Sequence, residues 1–216
     1  MLKSANQYIQ FSDKIGGAKV VFEGHPYALV GGYNFDLTTL PTYPNVLPAG
    51  TPVYCDEEAR TITPHYAFEV AEAVSSSKSF KVVKNEQGSR IKVGMVVMLA
   101  PSTIDGVAQS YKVTAVDSSE SGYDTVTVGS QVVFSAGDIL VEAAGTAAAS
   151  DAKVKVVPNA LLDRDIVKDA NAKLVNATGI WSNDRPVLEN RIPPIAPVIK
   201  TALLENGCYF RFSKRK

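Results

Sequence analysis

Short runs in which hydrophobic and polar residues alternate make up most of this chain, and Gly, Pro, Asn, Asp and Ser separate the runs. Alternation with a period of two places every second side chain on one face of a strand, and the separating residues favour turns. The pattern is densest between residues 80 and 142, in Phe80–Val83, Met95–Leu99, Tyr111–Val116 and Thr125–Val128. It predicts a mainly β fold in which this stretch forms a small barrel-like unit.

Three of these runs begin with the same arrangement, a glycine followed by an extended apolar segment. The glycines are Gly50, Gly94 and Gly137, and β-branched residues follow each of them within a few positions. Glycine tolerates positive φ and the close approach of a neighbour, and β-branched side chains suit a pleated sheet. We therefore expect a turn that opens a strand at each of these glycines.

Two segments of small or polar residues mark the limits of the barrel-like unit. Val74–Lys78 contains three consecutive serines, and residues 143–151 are almost entirely small. Such segments are typical of connections between structural units, so the barrel-like unit is expected to be inserted in, or mounted on, a second β domain. The predicted units are an N-terminal arm at 1–45, the second β domain at 46–78 plus 151–216, and the inserted barrel-like domain at 79–150.

One short helix is predicted near the C-terminus, because apolar residues recur there at helical spacing. Gly207 follows them at the position where a left-handed residue commonly ends a helix. The alternating segment Cys208–Phe212 then predicts a final strand. The apolar helical positions are Val198, Ile199, Ala202 and Leu203.

Composition and charge exclude several classes of protein. The 216 residues include 22 basic and 22 acidic side chains, so the chain lacks the basic excess with which nucleic-acid-binding proteins neutralise phosphates. The longest apolar run, Val93–Ala100, is too short to span a bilayer, and the first residues do not resemble a secretory signal. We expect a soluble globular protein with no nucleic-acid partner and no membrane partner.

No catalytic, cofactor-binding or metal-binding residue is predicted. The two histidines, His25 and His65, have no second His, Cys or carboxylate at ligand spacing. Cys55 and Cys208 lie far apart in sequence and are expected to be reduced, buried thiols. A catalytic pair of Cys55 and His65 would require the two side chains to meet in the fold, and no accompanying motif supports it.

Charged clusters are interpreted as surface features. Acidic residues group at Asp56–Glu58 and at Asp163–Asp165, and each group is a formal candidate for an acid and base pair. Carboxylates between apolar runs are more typical of turns, and catalysis needs an enclosing pocket. The basic C-terminus, with Arg211 and residues 214–216, is more typical of a solvated end than of an anion-binding site.

Six aromatic side chains lie between residues 8 and 35, in a region of weak periodicity. Tyr and Phe serve both in the core of a chain and in docking to a neighbouring subunit, for example by strand addition. Both roles stay open from the sequence. The six residues are Tyr8, Phe11, Phe22, Tyr27, Tyr33 and Phe35.

Two segments outside the barrel-like unit resemble the head decoration and head-fibre proteins of tailed phages. Val46–Cys55 is similar to the Leu-Pro-Ala-Gly-Thr start of a strand in the β domain of that family. Pro158–Val167, continuing to Asn176–Gly179 and Asn190–Pro194, resembles the family's Leu-Leu-x-x-Asp turn and the later loop before a short helix and a final strand. Neither segment is a catalytic signature.

The resemblance implies a non-enzymatic virion protein that decorates and stabilises the outside of the capsid. It further implies synthesis in the cytoplasm of the bacterial host, binding to the major capsid protein and assembly as a homo-oligomer, with a trimer favoured. Two other classes remain as alternatives. A carbohydrate- or cell-surface-binding module would need exposed aromatic platforms, for which Tyr111, Tyr123 and Trp181 are candidates. A small hydrolase would need a pocket with converging polar groups.

Overall fold

The computed structural model describes residues 20–30, 32–40, 45–84, 89–145, 148–169 and 171–214. Within these residues the fold is mainly β, with two curled half-barrel sheets and one short helix, which confirms the predicted fold class. The strands in chain order are β1 (Pro26–Ala28), β2 (Tyr33–Asp36), β3 (Val46–Leu47), β4 (Pro52–Asp56), β5 (Thr61–Pro64), β6 (Ala67–Glu69), β7 (Val74–Val83), β8 (Val96–Leu99), β9 (Ser110–Asp117), β10 (Tyr123–Phe134), β11 (Ile139–Ala144), β12 (Lys153–Val154), β13 (Ala160–Leu162), β14 (Ile166–Val167), β15 (Leu174–Ala177), β16 (Gly179–Asn183), β17 (Val187–Leu188) and β18 (Phe212–Ser213).

The first sheet contains seven strands in the order β1-β16-β13-β4-β5-β2-β15. Neighbouring strands are antiparallel, except that β2 and β5 are parallel. Strands from both ends of the described chain therefore meet in one sheet. Two further pairs, β3 with β14 and β17 with β18, form small two-stranded sheets.

Strands β1 and β2 of the first sheet come from the segment that was predicted as an N-terminal arm. In β2, Tyr33 and Phe35 are buried while Asn34 and Asp36 are exposed, which is the alternation of a half-buried strand. The sequence analysis assigned this segment to a region of weak periodicity, so β2 was not predicted. Pro26–Ala28 and Tyr33–Asp36 are thus part of the sheet, whereas residues 1–19, 31 and 41–44 of the predicted arm lie outside the described residues.

The second sheet contains β12-β11-β8-β9-β10-β7, with β6 paired to β11. A bridge between Val70 and Val82 links the end of β6 to β7, so the curled sheet brings its two sides together. All of its strands lie between residues 67 and 154, which extends the predicted unit of 79–150 at both ends. The serine-rich segment Val74–Lys78, predicted as a connection, is the first half of β7 and is mostly exposed.

A hydrophobic core fills the second sheet, and Phe134 contacts both Phe80 and Tyr111 edge to face. Another core continues from this sheet to the first one. It joins Met98 and Val141 of the second sheet to residues of the helix and of the segment before it. Because the buried surface crosses between the sheets, the division of the chain into domains stays a prediction.

The three glycine turns form as expected. Gly50, Gly94 and Gly137 have φ values of 75°, 93° and 83°, and β4, β8 and β11 begin directly after these turns. Only Gly50 is also crowded, since a Cβ atom there would lie 2.2 Å from Cγ2 of Ile192. Glycine is therefore required by backbone conformation at all three turns, and by packing as well at Gly50.

Helix α1 (Pro197–Glu205) confirms the predicted C-terminal helix, and the four predicted apolar positions are buried. The helix ends in a Schellman motif, in which the amide of Cys208 donates to the carbonyl of Leu203 and the amide of Gly207 donates to that of Leu204. Gly207 has a φ of 81°. Of the predicted final strand Cys208–Phe212, Tyr209 forms a bridge with Ser182, and Phe212 begins β18.

Candidate functional site

Three aromatic side chains lie together on the edge of the first sheet and form what we call the aromatic surface: Tyr27, Trp181 and Tyr209. The ring centroid of Trp181 lies 5.9 Å from that of Tyr27 and 6.3 Å from that of Tyr209. Tyr27 is 53% exposed and Tyr209 is 60% exposed, whereas Trp181 is half-buried between them. Aromatic groups that remain this accessible in a folded chain are typical of interaction surfaces.

Backbone hydrogen bonds fix the three rings relative to one another. Tyr27 of the edge strand β1 pairs with Ser182 of β16, and Trp181 precedes Ser182 in the same strand. The amide of Tyr209 donates to the carbonyl of Trp181 at 2.9 Å. A shift in register at Tyr27 brings its ring against Trp181. The surface is therefore held by sheet backbone, which keeps the entropic cost of ordering it on binding low.

Polar groups border the aromatic surface. The backbone amide of His25 donates to Asp184 Oδ1 at 2.9 Å, and this contact, with the side chain of His25, lowers the pKa of the carboxyl. The guanidinium of Arg211 donates to the carbonyl of Asp184 at 2.5 Å. An aromatic centre with a charged and hydrogen-bonding border is the usual composition of a protein interface.

The sequence analysis identified only part of this surface. Trp181 was named as an aromatic candidate and belongs to it, but Tyr111 packs against Phe134 in the core of the second sheet. Tyr123 lies elsewhere, with Lys81 Nζ 4.6 Å above its ring. Tyr27 and Tyr209 were missed as members, since residues far apart in sequence meet here only through sheet pairing. The local signals were the alternation around Tyr209 and the presence of Tyr27 among the six N-terminal aromatic residues that suit either a core or docking.

The buried histidine and the cysteines have structural environments. Nδ1 of His65 hydrogen-bonds the carbonyl of Val156 at 2.8 Å, and burial lowers the pKa of His65 to about 4. Burial raises the pKa of Cys55 to about 12 and that of Cys208 to about 11. Thiols with raised pKa values are poor nucleophiles at neutral pH. Neither thiol is in a disulfide, and Cys208 donates to the carbonyl of Asn159.

The two acidic clusters are engaged in turns. Asp56 accepts hydrogen bonds from the amides of residues 58 and 59, and Glu57 pairs with Arg60 at 2.6 Å. In the second cluster, Asp163 lies 3.5 Å from Arg164 and Asp165 accepts from the amide of residue 49. These carboxylates stabilise loops, as carboxylates between strands commonly do.

The described residues form cavities but no cluster of metal ligands. Within that part of the chain, no three His, Cys, Asp or Glu side chains lie together as a metal site. One cavity of about 260 Å³ lies between helix α1 and the segment after it and is lined mainly by apolar side chains. A second, of about 190 Å³, lies between the second sheet and the segment before helix α1, and a buried arginine lines it.

Comparison with family models, with curated proteins and with solved structures gave no match. In the part of the chain that the structure describes, no helix has the length and apolar character needed to cross a membrane.

Proposed function

We propose that this chain is a structural virion protein of a tailed phage that decorates and stabilises the outside of the capsid, as a head decoration or head-fibre subunit. The proposed partner is the major capsid protein, and the proposed assembly is a homo-oligomer, with a trimer favoured. The location would be the capsid surface, after synthesis in the host cytoplasm. The proposal includes no enzymatic role. The resemblance of Val46–Cys55 and Pro158–Val167 to that family supports it, together with the mainly β fold.

The aromatic surface is the observation on which this proposal depends. Tyr and Trp are enriched among the residues that contribute most to binding between proteins, because they bury a large rigid area with little loss of side-chain freedom. Tyr27 also belongs to β1, whose outer edge is unpaired among the described strands. An unpaired edge can accept a strand from a partner. The surface thus offers both side-chain and backbone contacts to a capsid.

Repetition on a lattice would strengthen such a contact. A subunit of 216 residues with a surface of three rings makes a modest interface. In a trimer, three such contacts act together, and overall affinity then exceeds that of one contact by roughly 10²–10⁴ when the geometry allows simultaneous binding. Oligomerisation would therefore be part of how the protein stays on the capsid.

The experiment measures binding to capsids assembled without this protein. Wild type and a Tyr27→Ser/Tyr209→Ser variant are mixed with such capsids, and the bound fraction is measured by sedimentation. The mass of each free protein is measured by light scattering. We expect wild type to bind as a trimer and the double variant, whose two altered side chains are largely exposed, to bind at least about tenfold more weakly.

Tyr54→Ser is the matched control, since Tyr54 is also an exposed tyrosine in a strand of the first sheet but lies outside the aromatic surface. It should bind like wild type. Absence of wild-type binding to capsids would refute the proposed function. Equal binding of the double variant and the control would leave capsid binding standing but exclude the aromatic surface as the contact.

A carbohydrate- or cell-surface-binding module is the second candidate, because exposed rings bordered by polar groups also suit the apolar faces and hydroxyls of sugars. Asp184 and Arg211 lie at the border and carry hydrogen-bonding groups. A glycan array with wild type and Trp181→Ala separates the two candidates. Glycan binding lost in the variant, without capsid binding, would favour this alternative.

A further inference from the structure

The cavity of about 190 Å³ between the second sheet and the segment before helix α1 has walls of two kinds. Its apolar wall includes Phe68 of the second sheet and Ile192 and Pro194 of the segment before helix α1. Its polar wall includes Arg90 and the exposed Asn190. With about 30 Å³ for each water molecule in the liquid, this volume corresponds to roughly six non-hydrogen atoms of a small ligand.

Arg90 has an unsatisfied group at this cavity. The residue is only 6% exposed, and its Nη1 atom has no hydrogen-bond partner among the described residues. Burial lowers the pKa of Arg90 to about 10, so the side chain still carries a positive charge at neutral pH. A buried guanidinium without a full set of acceptors is costly to desolvate, and such groups are normally paired. The cavity supplies space for the missing acceptor.

A buried network anchors the residue that precedes Arg90. The hydroxyl of the preceding Ser89 donates to Asp124 at 2.5 Å, and Asp124 also lies 3.2 Å from Lys84 Nζ. The same Nζ donates to the carbonyls of Ser118 and residue 120, at the turn between β9 and β10. Arg90 itself has a φ of 64°, a conformation that arginine rarely adopts. The fold thus maintains a strained backbone that keeps this arginine at the cavity.

The charges around the cavity select among anions. Glu69 and Glu189 also line it, and Glu189 is paired with Lys200 at 2.8 Å. Asp165 also acts electrostatically on Arg90. Three carboxylates around one guanidinium would repel an ion with several negative charges. A ligand with a single carboxylate and a short apolar body meets Arg90 at one end and the wall of Phe68 at the other. Asn190 offers a further amide donor.

We propose that this cavity binds a small monocarboxylate, with Arg90 as the residue that receives the carboxylate group. The site is separate from the aromatic surface and independent of the proposed capsid role. Charge-assisted hydrogen bonds from an arginine provide the affinity, and the apolar wall contacts the hydrocarbon part of the ligand. The ligand is a free small acid of about six non-hydrogen atoms, in keeping with the volume of the cavity.

Butyrate is the probe, and butyramide is its uncharged counterpart of the same size. Saturation-transfer difference NMR of the full-length protein measures which molecule binds, and titration gives the affinity. We expect butyrate to bind with a dissociation constant on the order of millimolar, and butyramide and inorganic phosphate to bind at least about tenfold more weakly. Absence of butyrate binding to folded wild type would overturn the proposal.

Two variants test whether butyrate binds at this cavity and at Arg90. Arg90→Gln should weaken butyrate binding by roughly ten- to a hundredfold, because it removes the charged donor. Val83→Glu changes a 39% exposed residue that lines the cavity, so it adds a repelling charge without altering a buried side chain, and binding should also weaken. Arg60→Gln, which changes an arginine outside the cavity, is the control. Butyrate binding that is equal in Val83→Glu and wild type, or retained in folded Arg90→Gln, would exclude this site.

Discussion

His65 should make the stability of this protein depend on pH between about 6.5 and 4. The residue lies where the chain leaves β5 of the first sheet for β6 of the second, and it is 2% exposed. Its Nδ1 atom donates to the carbonyl of Val156, where the chain returns from the second sheet to the first, and its Nε2 atom has no partner among the described residues. Protonation would place a buried charge at the point where the chain passes from the first sheet to the second and back again.

The size of the loss in stability on acidification follows from the shift in the pKa of His65. Burial lowers the pKa of His65 from 6.5 to about 4, while the hydrogen bond to Val156 opposes the shift. The unfolded chain therefore takes up the proton first as the pH falls. The contribution of the neutral ring to the free energy of unfolding is fully present above about pH 6.5 and decreases towards pH 4. Between about pH 7.5 and pH 4.5 the free energy of unfolding should fall by about 2.5 kcal/mol.

Urea unfolding followed by the fluorescence of the single tryptophan, Trp181, measures this loss. Wild type, His65→Gln and His25→Gln are compared at about pH 7.5, 5.5 and 4.5, a range chosen to bracket both pKa values. The loss on acidification should be smaller in His65→Gln by about 2.5 kcal/mol, because glutamine does not titrate. His25 is exposed, so His25→Gln should behave as wild type does. A pH dependence that is identical in His65→Gln and wild type would refute the reasoning.

Two further comparisons test the packing of the fold. Gly50→Ala should lower the free energy of unfolding by at least about 3 kcal/mol, because it combines positive φ with a steric clash, whereas Gly137→Ala, where nothing lies within 4 Å, should cost about 1–2 kcal/mol. Lys84→Met should cost about 3–5 kcal/mol, since it leaves the buried Asp124 without its cation, and the exposed Arg60→Gln should cost less than about 1 kcal/mol. Denaturant titration at neutral pH measures the free energy of unfolding of all four variants. Equal losses within either comparison would contradict its reasoning.

Local features of the fold were predictable from the sequence. The turns at Gly50, Gly94 and Gly137 and the cap at Gly207 depend on the backbone of one residue and its immediate neighbours. The strands between residues 80 and 142 were predictable for a similar reason, since alternation within one run reports which face is buried. These predictions needed no knowledge of the partner strand.

The sites depend on partners that are distant in sequence. Tyr27, Trp181 and Tyr209 meet because β1 and the segment after helix α1 both adjoin β16. No spacing in the sequence relates residue 27 to residue 209. Arg90 was not singled out either, because its sequence neighbours give no sign that the side chain is buried. The sequence could therefore supply aromatic candidates but not the surface that they form.

The same long-range contacts explain why composition does not mark the places where the chain crosses between the two sheets. Composition placed a connection at Val74–Lys78, yet these residues are polar because β7 is an exposed strand that pairs with β10. The chain crosses between the sheets instead at His65 and Val156, which are buried and hydrogen-bonded to each other. A buried crossing needs apolar or paired residues, so it has none of the Gly, Ser and Pro richness that marks a flexible linker. Composition therefore points away from such a junction, and the core that runs across it fixes how the two sheets sit together.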